Sequence, residues 1–219
     1  MTKITMELIK QLREKTQVGM MDCKKALMEA DGDIEKAVEI LRKKGATVAA
    51  KRAQCETNNG NVHACISDDL KTGALIKIAC ETDFSANTKA MKDLSLEICQ
   101  NVLINNPTCI KDGQECLLNQ KVINKPEITI QDHLNEIIAK IGEKIEIAQI
   151  TRFHVEKEGI ISSYIHPGAN LGVLVELETD KAIDSENLDL IKQLGKDICM
   201  QIAGTNPLAI YPHQLDAAT

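Results

Sequence analysis

The chain has no tryptophan, two phenylalanines and two tyrosines among 219 residues. Aliphatic side chains must fill its core. So few rings argue against a base-stacking platform for single-stranded nucleic acid. No G-x-x-x-x-G-K-[ST], G-x-G-x-x-G or H-E-x-x-H stretch occurs, so the phosphate-cradling loops and the zinc-protease helix have no counterpart. The eight cysteines form no C-x-x-C pair, which removes zinc-binding spacing. No apolar run approaches the length of a membrane span. The opening residues, MTKITMELIKQLREK, carry charges throughout and lack the apolar region of a signal peptide. These features set the expectation of a cytoplasmic chain with buried, reduced thiols and no membrane partner.

Catalytic groups are equally sparse. The histidines His63, His133, His154, His166 and His213 are scattered. Cys80 precedes Glu81 without a histidine paired to it in sequence, a weak basis for a thiol enzyme. His166, in SYIHPG, reads more simply as a turn residue than as a catalytic one. The pattern predicts a binding protein that uses no cofactor and no metal.

Charge is distributed unevenly. Residues 1–54 hold 12 Lys and Arg against 8 Asp and Glu, whereas the remainder holds 14 against 24, within a net charge of −6. Solvated helix faces are the plainest reading of the basic head, and an acidic partner surface is the alternative. The acidic total argues against phosphate-backbone binding.

The head reads as three short amphipathic helices. Thr5 is placed to cap the first, which carries Leu8, Ile9 and Leu12. Cys23, Ala26, Leu27 and Ala30 recur at one helical face, and Ile34, Ala37, Val38 and Leu41 repeat that spacing. The aspartates of DGD can cap the third helix, and Gly45 is expected to end it. ATVAAKR reads as a further helical segment. By periodicity alone, Met20 and Met21 read as core residues.

The rest of the chain is an internal repeat. NVHACISDDLKTGALIKIACETDF resembles IISSYIHPGANLGVLVELETDKA at an offset of 97 to 99, and LSLEICQNVLINNPTCI resembles LGKDICMQIAGTNPLAI at an offset of 100. Each copy reads strand, turn, strand, helix. Ile76 and Ile78 alternate with Lys77, as Val175 and Leu177 do with Glu176 and Glu178, the period of a half-buried antiparallel sheet. The predicted helix stripes are Met91, Leu94, Ile98 and Val102 in the first copy, and Ile191, Leu194, Ile198 and Ile202 in the second. Only the first copy continues into a later helix, TIQDHLNEIIAKIG, and strand, EKIEIAQITRFHV. The second sheet is therefore expected to lack one member and to carry an unpaired flank. The fold class is α+β: a helical domain over 1–54, a first core subdomain over 55–156 and a second, incomplete one over 157–219.

Both copies contain Glu-Thr-Asp, but the residue after it is Phe84 in the first and Lys181 in the second. A packing role common to both would call for an apolar residue in both. The asymmetry favours a specific task for Phe84 at a strand end, where a rigid scaffold presents it. The alternative is a ring folded back over the local core.

Taken together, TQVGMMDCKKAL, GDIEKAVEILRKKG, ETDF, KIGE and SSYIHPGANLGVLVEL resemble the bacterial translation elongation factor Ts family, along nearly all 219 residues. GMMDCKKAL combined with TDF makes the resemblance specific. It implies a guanine-nucleotide exchange factor for elongation factor Tu, with a head like ubiquitin-associated domains and a core of two related subdomains. It implies that Thr82, Asp83, Phe84 and Ser85 enter the partner's G domain near its magnesium site, where the Phe ring fits between two helices and GDP leaves. Arg13, Met20 and Met21 fall on head positions that touch the G domain, which overturns the core reading of the methionines. His166 falls on a further contact turn. The chain itself would bind no nucleotide and no nucleic acid.

Two departures stand out. Gln17-Val18-Gly19 replaces the family's usual Gly-Ala-Gly, which is expected to alter the loop. Ser85 replaces the usual Val, which is expected to weaken apolar insertion beyond Phe84. Two other readings remain: an adaptor or scaffold whose head binds ubiquitin, and a cysteine enzyme.

Overall fold

A computed structural model describes residues 4–111, 113 and 115–214. Helix α1 (Met6–Thr16) starts where the Thr5 hydroxyl accepts the Leu8 amide, and it buries Ile9 and Leu12. Helix α2 (Met20–Glu29) buries Cys23, Ala26 and Leu27. Asp33 caps α3 (Ile34–Lys51) through the Lys36 amide, and Ala37, Val38 and Leu41 close the small aliphatic core of the head.

Gly45 does not end α3. The helix runs unbroken to Lys51, so ATVAAKR is its last part and not a separate segment. The glycine marks a close approach: a Cβ there would lie 2.0 Å from the Asn135 carbonyl oxygen of a helix packed against it.

Strands β1 (Asn59–Ile66) and β2 (Thr72–Cys80) form an antiparallel hairpin. A single turn, α4 (Asp83–Ala86), leads into α5 (Lys89–Asn105), whose Met91, Leu94, Ile98 and Val102 are all buried as the stripe requires. A 3₁₀ turn (Leu117–Asn119) and a small hairpin of β3 (Lys121–Val122) and β4 (Lys125–Thr129) follow. Helix α6 (Ile130–Ile141) opens on a capping box between Thr129 and Asp132. Strand β5 (Ile145–His154) then pairs antiparallel with β2, giving the order β1-β2-β5.

Among the described residues the second copy comprises β6 (Gly159–Ile165), β7 (Gly172–Glu178) and α7 (Leu188–Thr205), with a sheet of two strands. It packs on the first. A Cβ at Gly73 would lie 2.4 Å from Ile161 Cγ2, so the sheets meet through a strand position that only glycine fits. This contact buries β2 on both faces near its start, where alternation alone anticipates one.

The α7 stripe differs from expectation. Gly195 and Cys199 are the buried residues; Ile191, Ile198 and Ile202 are half-buried, and Leu194 is 52% exposed. Its counterpart Leu94 is 1% exposed because Ile128, Leu134 and their neighbours share its cluster. The described part of the second copy has no such layer.

Candidate functional site

The site starts where β2 ends. Thr82, in an extended conformation, accepts the Ser85 amide on its hydroxyl at 3.2 Å and caps α4. Asp83 Oδ1 accepts the Phe84 amide at 2.8 Å. This short turn leaves the Phe84 ring 80% exposed. The ring is not folded over the core, so packing does not explain it. Thr82 and Asp83 share the exposed surface, whereas Ser85 is 3% exposed and faces inward. Of the four residues expected to enter a partner, three present a surface and Ser85 supports them from beneath.

One carboxylate holds this turn and a second fixes the chain leading into it, and the sequence singles out neither. Glu143 accepts the Thr82 amide at 3.1 Å and the Thr82 hydroxyl at 2.8 Å. It arrives there because Gly142, with φ 81°, ends α6 in the left-handed region. That is the local meaning of KIGE, the one signal that pointed to it. Glu81 accepts the Lys144 amide at 2.6 Å and the Arg52 guanidinium at 2.6 Å. The Lys144 amide, and then Arg52, hold the Glu81 carboxyl below its usual range. Glu81 thus ties the end of α3, the start of β5 and the approach to the site. Asn59 donates to the Glu81 carbonyl at 2.8 Å, and buried Asn61 donates to the Ala86 carbonyl at 3.2 Å.

In the head, Met21 is 66% exposed, and Met20 and Arg13 are also exposed. The two methionines open α2, and Arg13 lies in the last turn of α1. Between them, Gln17 adopts φ 55° as the C-cap of α1, the conformation a glycine would take without strain. Its side chain accepts from Lys140 on α6. The departure at Gln17 therefore adds a link between head and body.

A second link is ionic. Arg42 of α3 pairs with Glu136 of α6 at 2.5 Å, His133 Nε2 with Glu97 of α5 at 2.6 Å, and Lys125 of β4 with Glu97 at 3.0 Å. His133 Nδ1 lies 3.5 Å from Glu136. Burial alone would lower the His133 pKa, but the hydrogen bonds to Glu136 and Glu97 outweigh it and raise the value above 6.5. The group lines a cavity of about 360 Å³ between head and body.

His166 is exposed on the β6–β7 turn, with Nδ1 3.0 Å from the Tyr164 hydroxyl. The same turn supplies Gly168 and Asn170 to a cavity of about 310 Å³ that Asp83, Asn59, Asn61 and Asn87 also line. The structure thus brings the Asp83 turn of one copy and the His166 turn of the other to one concave surface.

Comparison with known proteins agrees with this architecture. The family model for elongation factor Ts matches residues 81–219. Elongation factor Ts of Chlorobaculum parvum (strain DSM 263 / NCIMB 8327) is 40% identical over 210 residues, 96% of this chain and 69% of that protein. Elongation factor Ts of Clostridium botulinum (strain ATCC 19397 / Type A) is 39% identical over 216 residues, 99% of this chain and 67% of that protein. With the family model matching more than half of the chain and these relatives spanning nearly all of it, the chain belongs to the elongation factor Ts family.

Proposed function

We propose that this chain promotes GDP release from elongation factor Tu by inserting Thr82, Asp83 and Phe84 near the magnesium site of the partner's G domain. Family membership makes the chain a translation factor and not an enzyme. The observation that carries the insertion reading is the exposure of Phe84 on a turn held by Glu143 and capped by Thr82. A ring held in water on a rigid support gains roughly 1.5–3 kcal/mol when a partner buries it. Little of that gain is lost to ordering the turn, because Glu143 and the Thr82 cap already fix it.

The mechanism is linkage. Binding nucleotide-free Tu more tightly than GDP-bound Tu lowers the affinity of Tu for GDP by the same factor. No nucleotide pocket in this chain is needed, and no covalent step. Arg13, Met20 and Met21 supply affinity through the head, and His166 supplies a second contact on the body. The chain meets both nucleotide states of its partner in the cytoplasm. Mixing it with Tu loaded with fluorescent GDP tests the reading: release should accelerate with chain concentration and saturate. An unchanged release rate despite complex formation would contradict it.

A further inference from the structure

Strand β1 is an edge of the first sheet, and Cys65 on it is half-buried. Cys65 pairs with Ala74 across the hairpin, so both side chains point to the same face, the one covered by α5. From α5, fully buried Cys99 places its sulfur 3.5 Å from the His63 carbonyl and 3.6 Å from the Ala74 carbonyl. Cys99 thus sits over the backbone of the Cys65–Ala74 pair, and His63, two residues before Cys65, lies on the same face. The second copy has no such pair: Tyr164 occupies the position matching Cys65, and Cys199 the one matching Cys99.

We propose that Cys65 and Cys99 form a thiol–disulfide modification site, in which Cys65 reacts with a small disulfide such as glutathione disulfide and Cys99 then closes an internal disulfide. In the first step the Cys65 thiolate attacks one sulfur of glutathione disulfide, forming a mixed disulfide and releasing one glutathione thiolate. In the second, Cys99 gives up its proton and attacks the Cys65 sulfur, releasing the second glutathione. Two protein thiols are oxidised and one small disulfide is reduced, so atoms and electrons balance. The order follows from access: Cys65 lies half-buried on an edge strand, whereas Cys99 is fully buried. The neighbouring Cys99 and His63 side chains also lower the Cys65 pKa. The other fully buried thiols with resolved shifts, Cys23, Cys80 and Cys199, are all pushed up by burial. The ring closed by residues 65–99 contains the whole Thr82–Ala86 turn, so oxidation ties together the strand and the helix that carry it.

The test treats the full chain with glutathione disulfide at neutral pH, blocks free thiols in denaturant and maps disulfides by tandem mass spectrometry. The wild type should yield a Cys65–Cys99 link. Cys99→Ser should stop at one glutathione on Cys65. Cys65→Ser should abolish the link and leave Cys99 unmodified, because Cys99 is fully buried. Adducts confined to Cys55 or Cys109, with Cys65 still reduced in the wild type, would overturn the proposal. The wild-type map decides alone if either variant fails to fold.

Discussion

The Val62 amide donates to the Ala169 carbonyl at 2.6 Å, and the Ile161 amide donates to the Leu70 carbonyl at 2.7 Å. Val62 and Ile161 are matching positions of the two copies, as are Leu70 and Ala169. Both acceptor residues adopt the left-handed region, with φ 61° and 52°. Each hairpin turn thus hands a carbonyl to the first strand of the other copy. The pseudo-symmetry of the sequence is realised as a reciprocal clasp, and the clasp holds the His166 turn beside Asp83.

The sheet contact beneath this clasp leaves no room at Gly73. Gly73→Ala places a methyl group against Ile161 Cγ2 and Leu174. Overpacking of this kind costs about 1–3 kcal/mol. Urea unfolding should show a lower midpoint with an unchanged slope. An unchanged midpoint would mean that the sheets are not in contact there.

Strand β2 is paired on both sides, by β1 and β5, whereas among the described residues β7 is paired with β6 alone. Half of the β7 amides therefore lack a ladder partner among the described residues. Hydrogen exchange should be faster in residues 172–178 than in residues 72–80. Equal protection would show that a further element covers the β7 flank in solution.

The fold was legible where spacing repeats. The α5 stripe and the paired strands follow from period alone, and so does most of the head core. Phe84 was legible because its counterpart is Lys181. What was not legible depends on contacts distant in sequence. Gly45 looks like a helix end until Asn135 lies against it. Leu194 looks like a core residue until the layer over Leu94 proves to have no equivalent in the described second copy. The supports of the site, Glu81 and Glu143, are ordinary surface carboxylates in sequence and gain meaning only when α6 ends beside Thr82.

The His133 network should make stability depend on pH. The folded pKa of His133 is raised, so its contribution is complete below about pH 6.5 and is lost as pH rises through the folded value. Glu97 and Glu136 are held low, by His133 first for Glu97 and, against burial, by His133 and Arg42 for Glu136. Their contribution is present above about 4.5 and is lost as pH falls through their folded values. The ion pairs are strongest between those limits. Unfolding midpoints of the wild type should fall from about pH 6 to pH 8 relative to His133→Gln. Parallel profiles would remove His133 from the link.

Arg13, Met20 and Met21 are expected to bind rather than to drive release. Alanine at both methionines should weaken complex formation by about 1–2 kcal/mol, as for apolar anchors at an interface. The release rate should recover at saturating chain. A rate that stays low at saturation would place the head in the release step. Ubiquitin titration should show no binding, and saturable binding would revive the adaptor reading.

The insertion of Phe84 is tested most directly by GDP release from Tu at saturating Phe84→Ala, followed by stopped-flow fluorescence. The ring packs on nothing that the fold needs, since it is 80% exposed, so the variant should unfold at the wild-type midpoint. Loss of its burial in the partner should slow release about tenfold or more. A folded Phe84→Ala chain that releases GDP at the wild-type rate would contradict the account.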